Sequence, residues 1–270
     1  MKVVILAGGY ANRLRSVTNN GEIAKTLLEI TAEGKTQPIL YFLLDKVREL
    51  PAVDNIILVA NDKYKDQIVN AIHEYASENK CPKFTIISDG SNSPEHAMGA
   101  NFALNLADAC IPAEYDQPIL VTACDNYFDF DLNDLYAFYT KMENQTDGPV
   151  NVVASKLYPD SEREFIANNF GILNVDKDKS IISLDEKPGI ENIKTNNVSL
   201  ALYMFNRDDL GLIDTYMSIT TDKKKRDSLG YFINYVTQRT DSFTYEISGA
   251  FCDIGTPDEY YKMKNNGFNV

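Results

Sequence analysis

Strand-like and helix-like segments alternate without interruption from Val3 to Ala123, and that alternation restricts the fold more than any single motif does. Val3–Leu6 is a short apolar run of strand length, and Gln37–Leu50 carries Ile39, Leu40, Leu43, Leu44 and Val47 on one helical stripe. Asn55–Ala60 reads as a buried strand, Lys63–Ser77 as a helix and Phe84–Ile87 as a strand. Pro94–Ala109 then reads as a helix and Ile119–Ala123 as a fourth strand. A β-α-β-α-β-α-β order gives a parallel sheet with right-handed crossovers, covered by helices on both faces. Ligands on such sheets gather beyond the carboxyl ends of the strands. Gly8-Gly9 and Asp125 both fall just past strand ends, which predicts that they face one site.

After residue 150 the texture changes. Val150–Ser155, Phe170–Val175, Ser180–Leu184, Ser199–Phe205 and Ser242–Ile247 read as strands, interrupted by helices near Asp208–Met217 and Ser228–Arg239. Val175–Ser180 is a hairpin turn by composition, polar and short between two apolar runs. This half is mixed and is expected to extend the first sheet. With no low-complexity linker and no internal repeat, residues 1–260 read as one domain, and 261–270, polar and Asn-rich, as a frayed tail.

At 270 residues and 44% hydrophobic, the chain can bury a large core. Its net charge of −13 argues against a nucleic-acid or anionic-membrane partner, because phosphate would be repelled. An anionic small substrate then requires local cations to offset the background. No apolar stretch approaches the ~18 residues of a membrane span, and residues 1–6 read as a strand rather than a leader, so the expectation is a cytoplasmic protein. Cys81, Cys110, Cys124 and Cys252 contain no C-x-x-C pair, and His73 and His96 are too isolated for a zinc site. The cysteines are expected to be buried or partly buried free thiols.

Five segments carry candidate chemistry. Leu6-Ala7-Gly8-Gly9 follows the first strand, where residues without Cβ let the backbone approach a ligand and offer N–H groups to an anion, with Arg13 adding a charge. A tight strand-to-helix turn with no ligand has the same appearance. Lys25 interrupts an apolar segment; it is either a solvent-facing lysine or a second cation for a polyphosphate. Asp125, just after a buried strand, is either a metal ligand or a cap for the segment near Asp131, since a carboxylate there is costly to leave unpaired. Asp253 stands in an apolar setting outside the helix start formed by Thr256, Pro257, Asp258 and Glu259. Asp185-Glu186-Lys187-Pro188 reads on composition as a surface turn.

Taken in order, these segments resemble the sugar-phosphate nucleotidylyltransferases, the NDP-sugar pyrophosphorylases that include the glucose-1-phosphate thymidylyltransferases. That family opens with L-A-G-G-x-G-T-R-L, and this chain has Leu6-Ala-Gly-Gly-Tyr-Ala-Asn-Arg-Leu14. The family motif P-K-x-L-L is matched by Ala24-Lys25-Thr-Leu-Leu28, and G-D-N by Cys124-Asp125-Asn126. Y-G-V and E-K-P are matched by Asn169-Phe-Gly171-Ile172 and Glu186-Lys187-Pro188, and D-x-G-T-P-x-x-Y by Asp253 to Tyr260. The departures from the pattern include Ala11, Asn12, Ala24 and Ala201. Ala11 adds a methyl where backbone would meet triphosphate and is expected to force a negative φ there. The stretch Ser93–Ala100 matches the family's base-recognition segment poorly, and no nucleobase is read from it.

The resemblance implies a Rossmann-like α/β fold and a Mg²⁺-dependent transfer of a nucleotidyl group from a nucleoside triphosphate to a sugar 1-phosphate. It implies nucleotide contacts from Leu6, Ala7, Gly8, Gly9, Arg13, Lys25 and Asp125, and a metal held by Asp125 and Asp253. It further implies acceptor contacts from Asn126, Gly171, Glu186 and Lys187, with Arg13, Lys25 and Lys187 as the catalytic cations. Its members are often dimers or tetramers. Two other readings stay open: a nucleotide-sugar glycosyltransferase, whose paired acids would be Asp129 and Asp131, and a regulatory relative without catalysis.

Overall fold

The computed structural model describes residues 1–146 and 148–266. The chain opens with β1 (Lys2–Ala7) and two single 3-10 turns, Asn12–Leu14 and Lys25–Leu27. A hairpin of β2 (Glu29–Ala32) and β3 (Lys35–Pro38) follows, then α1 (Ile39–Glu49), β4 (Asn55–Ala60), α2 (Asp62–Glu78) and β5 (Lys83–Ser88). Next come α3 (Ala100–Asp108), β6 (Ile119–Ala123), β7 (Asn126–Phe128) and α4 (Leu132–Gln145). The later part holds β8 (Asn151–Leu157), α5 (Arg163–Asn169), β9 (Gly171–Val175), β10 (Ile181–Glu186) and β11 (Asn197–Phe205). It ends with α6 (Arg207–Ile219), α7 (Lys223–Asp227), α8 (Leu229–Thr237), β12 (Ser242–Glu246), β13 (Phe251–Asp253) and α9 (Pro257–Asn266).

The central sheet runs β10-β9-β11-β6-β1-β4-β5, and β8 pairs with β11 and carries β12 at its other side. Strands β6, β1, β4 and β5 are parallel, as the βα alternation requires, while β11 lies antiparallel to β6 and joins the later strands to the same sheet. Strand periodicity explains the two cores. Val3 and Ile5 of β1 face one cluster with Leu40, Leu44, Ile68, Ile72 and Leu135 from α1, α2 and α4. Val4 and Leu6 face the other, with Leu104, Leu210, Ile213 and Phe232 from α3, α6 and α8. A third, smaller cluster joins Leu14, Leu28, Ile30, Phe42, Tyr127, Ile254 and Tyr260, tying the lysine turn, the β2–β3 hairpin, β7 and α9 into one unit.

Several sequence expectations change. Lys35–Pro38 is a hairpin strand and α1 begins at Ile39; the turn needed to pair β3 with β2 uses Glu33 and Gly34, both at positive φ. The helix expected over Pro94–Ala109 is interrupted: Gly99 at φ +89° separates a single turn at Pro94–His96 from α3. Residues 261–266 continue α9 rather than fraying, because Tyr260 and Met263 are buried in the third cluster; 267–270 lie outside the described residues. Cys110 is exposed, not buried, while Cys81, Cys124 and Cys252 are wholly or partly buried free thiols. The hairpin at Val175–Ser180 forms as read, its turn held by Asp176, whose carboxylate accepts from the N–H groups of Asp178 and Ser180.

Candidate active site

The glycine loop leaves β1 at the carboxyl edge of the sheet. A Cβ on Gly8 would lie 3.2 Å from Asp89 Oδ2, so that position has little room for a side chain, whereas Gly9 faces open space. Asn61 stitches the loop to the neighbouring strand: its Nδ2 donates to the Gly8 carbonyl at 3.2 Å, and its Oδ1 caps α2 by accepting from Tyr64 N. Ala11 adopts the left-handed conformation, φ +50° and ψ +39°. The expected negative φ is therefore wrong: its carbonyl accepts from Leu14 N to close the 3-10 turn, so the chain takes the strain of a Cβ there. Ala201, the second glycine-to-alanine departure, also stands at positive φ, +52°, inside a register shift of β11 against β8. At Ala24 the change is structurally mild, since φ −59° suits proline; alanine adds an N–H that donates to Gln67 Oε1 at 3.1 Å.

Lys25 sits on the second 3-10 turn, which is fastened to the end of β6 by Thr26 Oγ1 donating to the Cys124 carbonyl. Its Nζ lies 2.8 Å from Asp125 Oδ2 and 3.8 Å from Asp253 Oδ1, with only 12% of the side chain exposed. Strand pairing creates this arrangement. β7 and β13 run antiparallel with Asn126 opposite Asp253, and Ile254 N donates to the Asp125 carbonyl, so the two carboxylates emerge side by side. The turn after Asp253 is locked by Glu259, whose Oε2 accepts from Gly255 N, Thr256 N and Thr256 Oγ1, while Thr256 Oγ1 accepts from Glu259 N. Gly255 leaves room for Arg13: a Cβ there would lie 3.2 Å from Arg13 Nη2 and 3.5 Å from Asp253 Oδ2.

The charges of the cluster are interdependent. Burial works against the Lys25 ammonium, but Asp125 and Asp253 outweigh it and hold its pKa above the ordinary lysine value. Burial likewise works against the Asp125 carboxylate, yet Lys25, with help from Arg13, keeps its pKa below the usual range. Asp253 receives less of that help: burial and the neighbouring Asp125 charge push it up to about 6. One carboxylate is firmly ionised and its partner is held short of full ionisation, an arrangement that added positive charge would relieve.

Lys25 and Asp125 border a cavity of about 430 Å³, with Asp253 behind Lys25 and outside its lining. Leu6, Ala7, Gly8, Gly9, Lys25 and Asp125 line it together, and for Gly8-Gly9 and Asp125 a shared site was expected from their positions past strand ends. Arg13 lies outside the lining, beside Gly255, where its charge acts on both carboxylates through space. The acceptor-side expectations fare differently. Asn126 is buried, and its Nδ2 donates to the Leu200 carbonyl, so the amide secures β11 rather than lining the cavity. Gly171 has no room for a side chain, because a Cβ there would meet Leu184 Cδ2 at 3.0 Å and Glu186 Oε2 at 3.1 Å. Glu186 fills that space, accepts from Ser228 Oγ at 2.6 Å and would collide with any Cβ on Gly230. Lys187 is exposed, at φ +47°, outside the cavity lining.

Sequence reasoning passed over Asp89, Ser91, Asn61, Tyr10 and Asp227. Asp89 had a legible signal, an Asp-Gly pair directly past a strand end, the same placement that marked Asp125. The Asp129 and Asp131 pair is structural: Asp131 caps α4 by accepting from Asn133 N, and Asp129 accepts from Ala250 N. Those bonds account for the spacing that suggested a glycosyltransferase.

The family model described as nucleotidyl transferase matches residues 2–268. The chain belongs to that family. Its relatives include the bifunctional protein GlmU of Methanocaldococcus jannaschii, 27% identical over 95% of this chain and 52% of the relative. They also include a mannose-1-phosphate guanyltransferase of Debaryomyces hansenii, 24% identical over 96% of this chain and 62% of the relative. The chain thus spans between half and two thirds of the length of these relatives. Among solved structures, a UDP-glucose pyrophosphorylase superposes with a TM-score of 0.78 at 16% identity, covering 98% of this chain and 97% of that one, which establishes the fold.

Proposed function

We propose that this nucleotidyl transferase moves a nucleotidyl group from a nucleoside triphosphate to a sugar 1-phosphate, releasing pyrophosphate. The observation that carries the reading is Lys25 wedged between Asp125 and Asp253 beneath the glycine loop, at the mouth of a cavity large enough for a nucleotide. The names of the relatives, acting on mannose 1-phosphate or similar sugars, support the acceptor class.

In this reading the nucleophile is a phosphate oxygen already carrying charge, so no strong base is required. The obstacle is bringing two polyanions together and stabilising the charge that grows on the α-phosphoryl and leaving oxygens. Gly8 and Gly9 offer backbone N–H groups to the nucleotide, and Lys25 and Arg13 supply positive charge on opposite sides of Asp253. The two carboxylates fit Mg²⁺, which takes one or two protein carboxylates and completes its shell with water and phosphate. The raised Asp253 pKa fits as well, since a like-charged pair is what a divalent cation would relieve. Mg²⁺ held there would supply charge stabilisation at the α-phosphate. Asp125 and Asp253 would hold the ion, Lys25 orients both carboxylates, and the Glu259 lock keeps the turn after Asp253 in place. Glu186, which accepts from Ser228 beside the cavity-wall residues Asp227 and Leu229, is assigned to the acceptor side, together with the exposed Lys187 that follows it in the chain. Among the described residues no helix is long and apolar enough to cross a membrane, and a cytoplasmic setting accompanies this function.

The test is pyrophosphate release from a panel of nucleoside triphosphates and sugar 1-phosphates with Mg²⁺. Release that requires all three components supports the reading. Folded protein that is silent throughout identifies instead a regulatory relative without catalysis.

A further inference from the structure

The cavity has a second charged end that the transfer chemistry does not use. Asp89 follows β5, which lies two strands from β1, while Asp125 follows β6 on the other side of β1. Three strand spacings make the edge between them roughly 15 Å long. Gly8 lies between, touching the Asp89 side. A nucleotide laid along this edge with its phosphates at Gly9 and Lys25 brings its base to Asp89. The lining there is suited to a flat ring, with Leu6, Pro94, Met98, Ala100 and Ala103 as apolar walls.

Asp89 is fixed as an acceptor. Its Oδ1 accepts from Ser91 N at 2.8 Å and from Ser91 Oγ at 2.6 Å, which fills both lone pairs of that oxygen. Ser91 Oγ is committed to donating because Tyr10 Oη donates to it at 2.8 Å. Oδ2 has none of these bonds and is the oxygen that approaches Gly8.

We propose that Asp89 reads the base edge and makes guanosine triphosphate the preferred nucleotide; this rests on the nucleotidyl-transfer reading above. An ionised carboxylate only accepts hydrogen bonds, and guanine is the common base with two adjacent donors, N1–H and the 2-amino group. Adenine and cytosine set a ring acceptor beside their single amino group. Uracil and thymine flank one N–H with two carbonyl oxygens, which the carboxylate repels, and they rank last. A buried polar group left facing the wrong edge is what gives such sites their discrimination.

Asp89→Asn tests this with little disturbance, since the amide oxygen can still accept from Ser91 while the nitrogen presents donors at the Oδ2 position. The experiment measures pyrophosphate release and, without acceptor, equilibrium binding for GTP, ITP, ATP, CTP, UTP and dTTP, on wild type and variant of matched melting temperature. Wild type is expected to favour GTP over UTP and dTTP by about 10²-fold in kcat/KM, and GTP over ITP, which lacks the 2-amino group. The variant is expected to lose about 10²-fold with GTP, chiefly through KM, and to lose the distinction between GTP and ITP. A wild-type preference for UTP or dTTP overturns the assignment, as does an unchanged GTP-to-ITP ratio in the variant. If a variant of lowered stability obscures the comparison, the wild-type ranking decides alone. Absence of both turnover and binding with every nucleotide overturns the transfer reading itself, a result distinct from either of these.

Discussion

Replacing Lys25 by methionine keeps the aliphatic stem and removes a charge that lies 2.8 Å from one carboxylate and 3.8 Å from the other. Two effects are expected, with separate magnitudes. Losing a charge partner in the transition state costs about 10²- to 10³-fold in kcat/KM. For stability, breaking a fully buried pair costs about 3–5 kcal/mol. Here Asp125 and Asp253 keep 36% and 34% of their side-chain surface in water, so screening lowers the expected cost to about 1–2 kcal/mol at pH 8 without metal. The pH dependence identifies the cause. In the variant, the two carboxylates face each other without a cation, and protonating Asp253 relieves the repulsion. Asp253 takes up that proton below about pH 6 in the wild-type protein and at higher pH once Lys25 is gone, because Lys25 is among the groups holding its pKa down. The variant should therefore be most destabilised at pH 8 and approach wild type near pH 5. Urea unfolding at the two pH values, with pyrophosphate release as the activity readout, measures both effects. Activity within a few-fold of wild type, or a stability loss of equal size at both pH values, would refute this account of the cluster.

Asp253→Asn separates stability from function. Because the folded pKa of Asp253, about 6, exceeds that of an unfolded aspartate near 4, the native state binds more protons between those values, and stability falls as pH rises through them. The amide removes that fall, so metal-free variant should gain about 1 kcal/mol above pH 6 in chemical unfolding while losing activity. Ala201→Gly relieves a left-handed alanine and should raise Tm by about 2–4 °C in a thermal melt, with no loss of activity. Chelation should abolish pyrophosphate release and added Mg²⁺ restore it, and Asp125→Ala should remain inactive at every metal concentration tried.

The sheet was legible because its strands are buried on both faces and so appear as unbroken apolar runs bounded by polar segments; Val3–Leu6 and Asn55–Ala60 needed no context. The short pairings were not. β7 and β13 are three residues each, and they exist because Phe42, Tyr127, Ile254 and Tyr260 pack into the small third cluster, a long-range condition that local pattern does not encode. Lys25, Asp125 and Asp253 could be named from sequence, but the reason they meet is that same pairing. The positive φ at Ala11 was misjudged because alanine's preference is weak beside the 3-10 hydrogen bond that fixes that position. Asn126 and Gly171 were assigned to substrate from their motifs; in the fold the Asn126 amide donates to the Leu200 carbonyl and the Glu186 carboxylate packs beside Gly171, contacts that local sequence does not encode.

The cluster around Lys25 is defined by the bond it makes, between the α-phosphorus and the sugar phosphate, and the one it breaks, to pyrophosphate. The most direct measurement follows a nucleoside triphosphate labelled at its α-phosphate through a single turnover with a sugar 1-phosphate. The label should move into a sugar-linked nucleoside diphosphate, with unlabelled pyrophosphate released in equal amount and neither product formed by Lys25→Met within the same time. Label remaining in the triphosphate, or appearing only in free monophosphate or diphosphate with no sugar attached, would contradict the account.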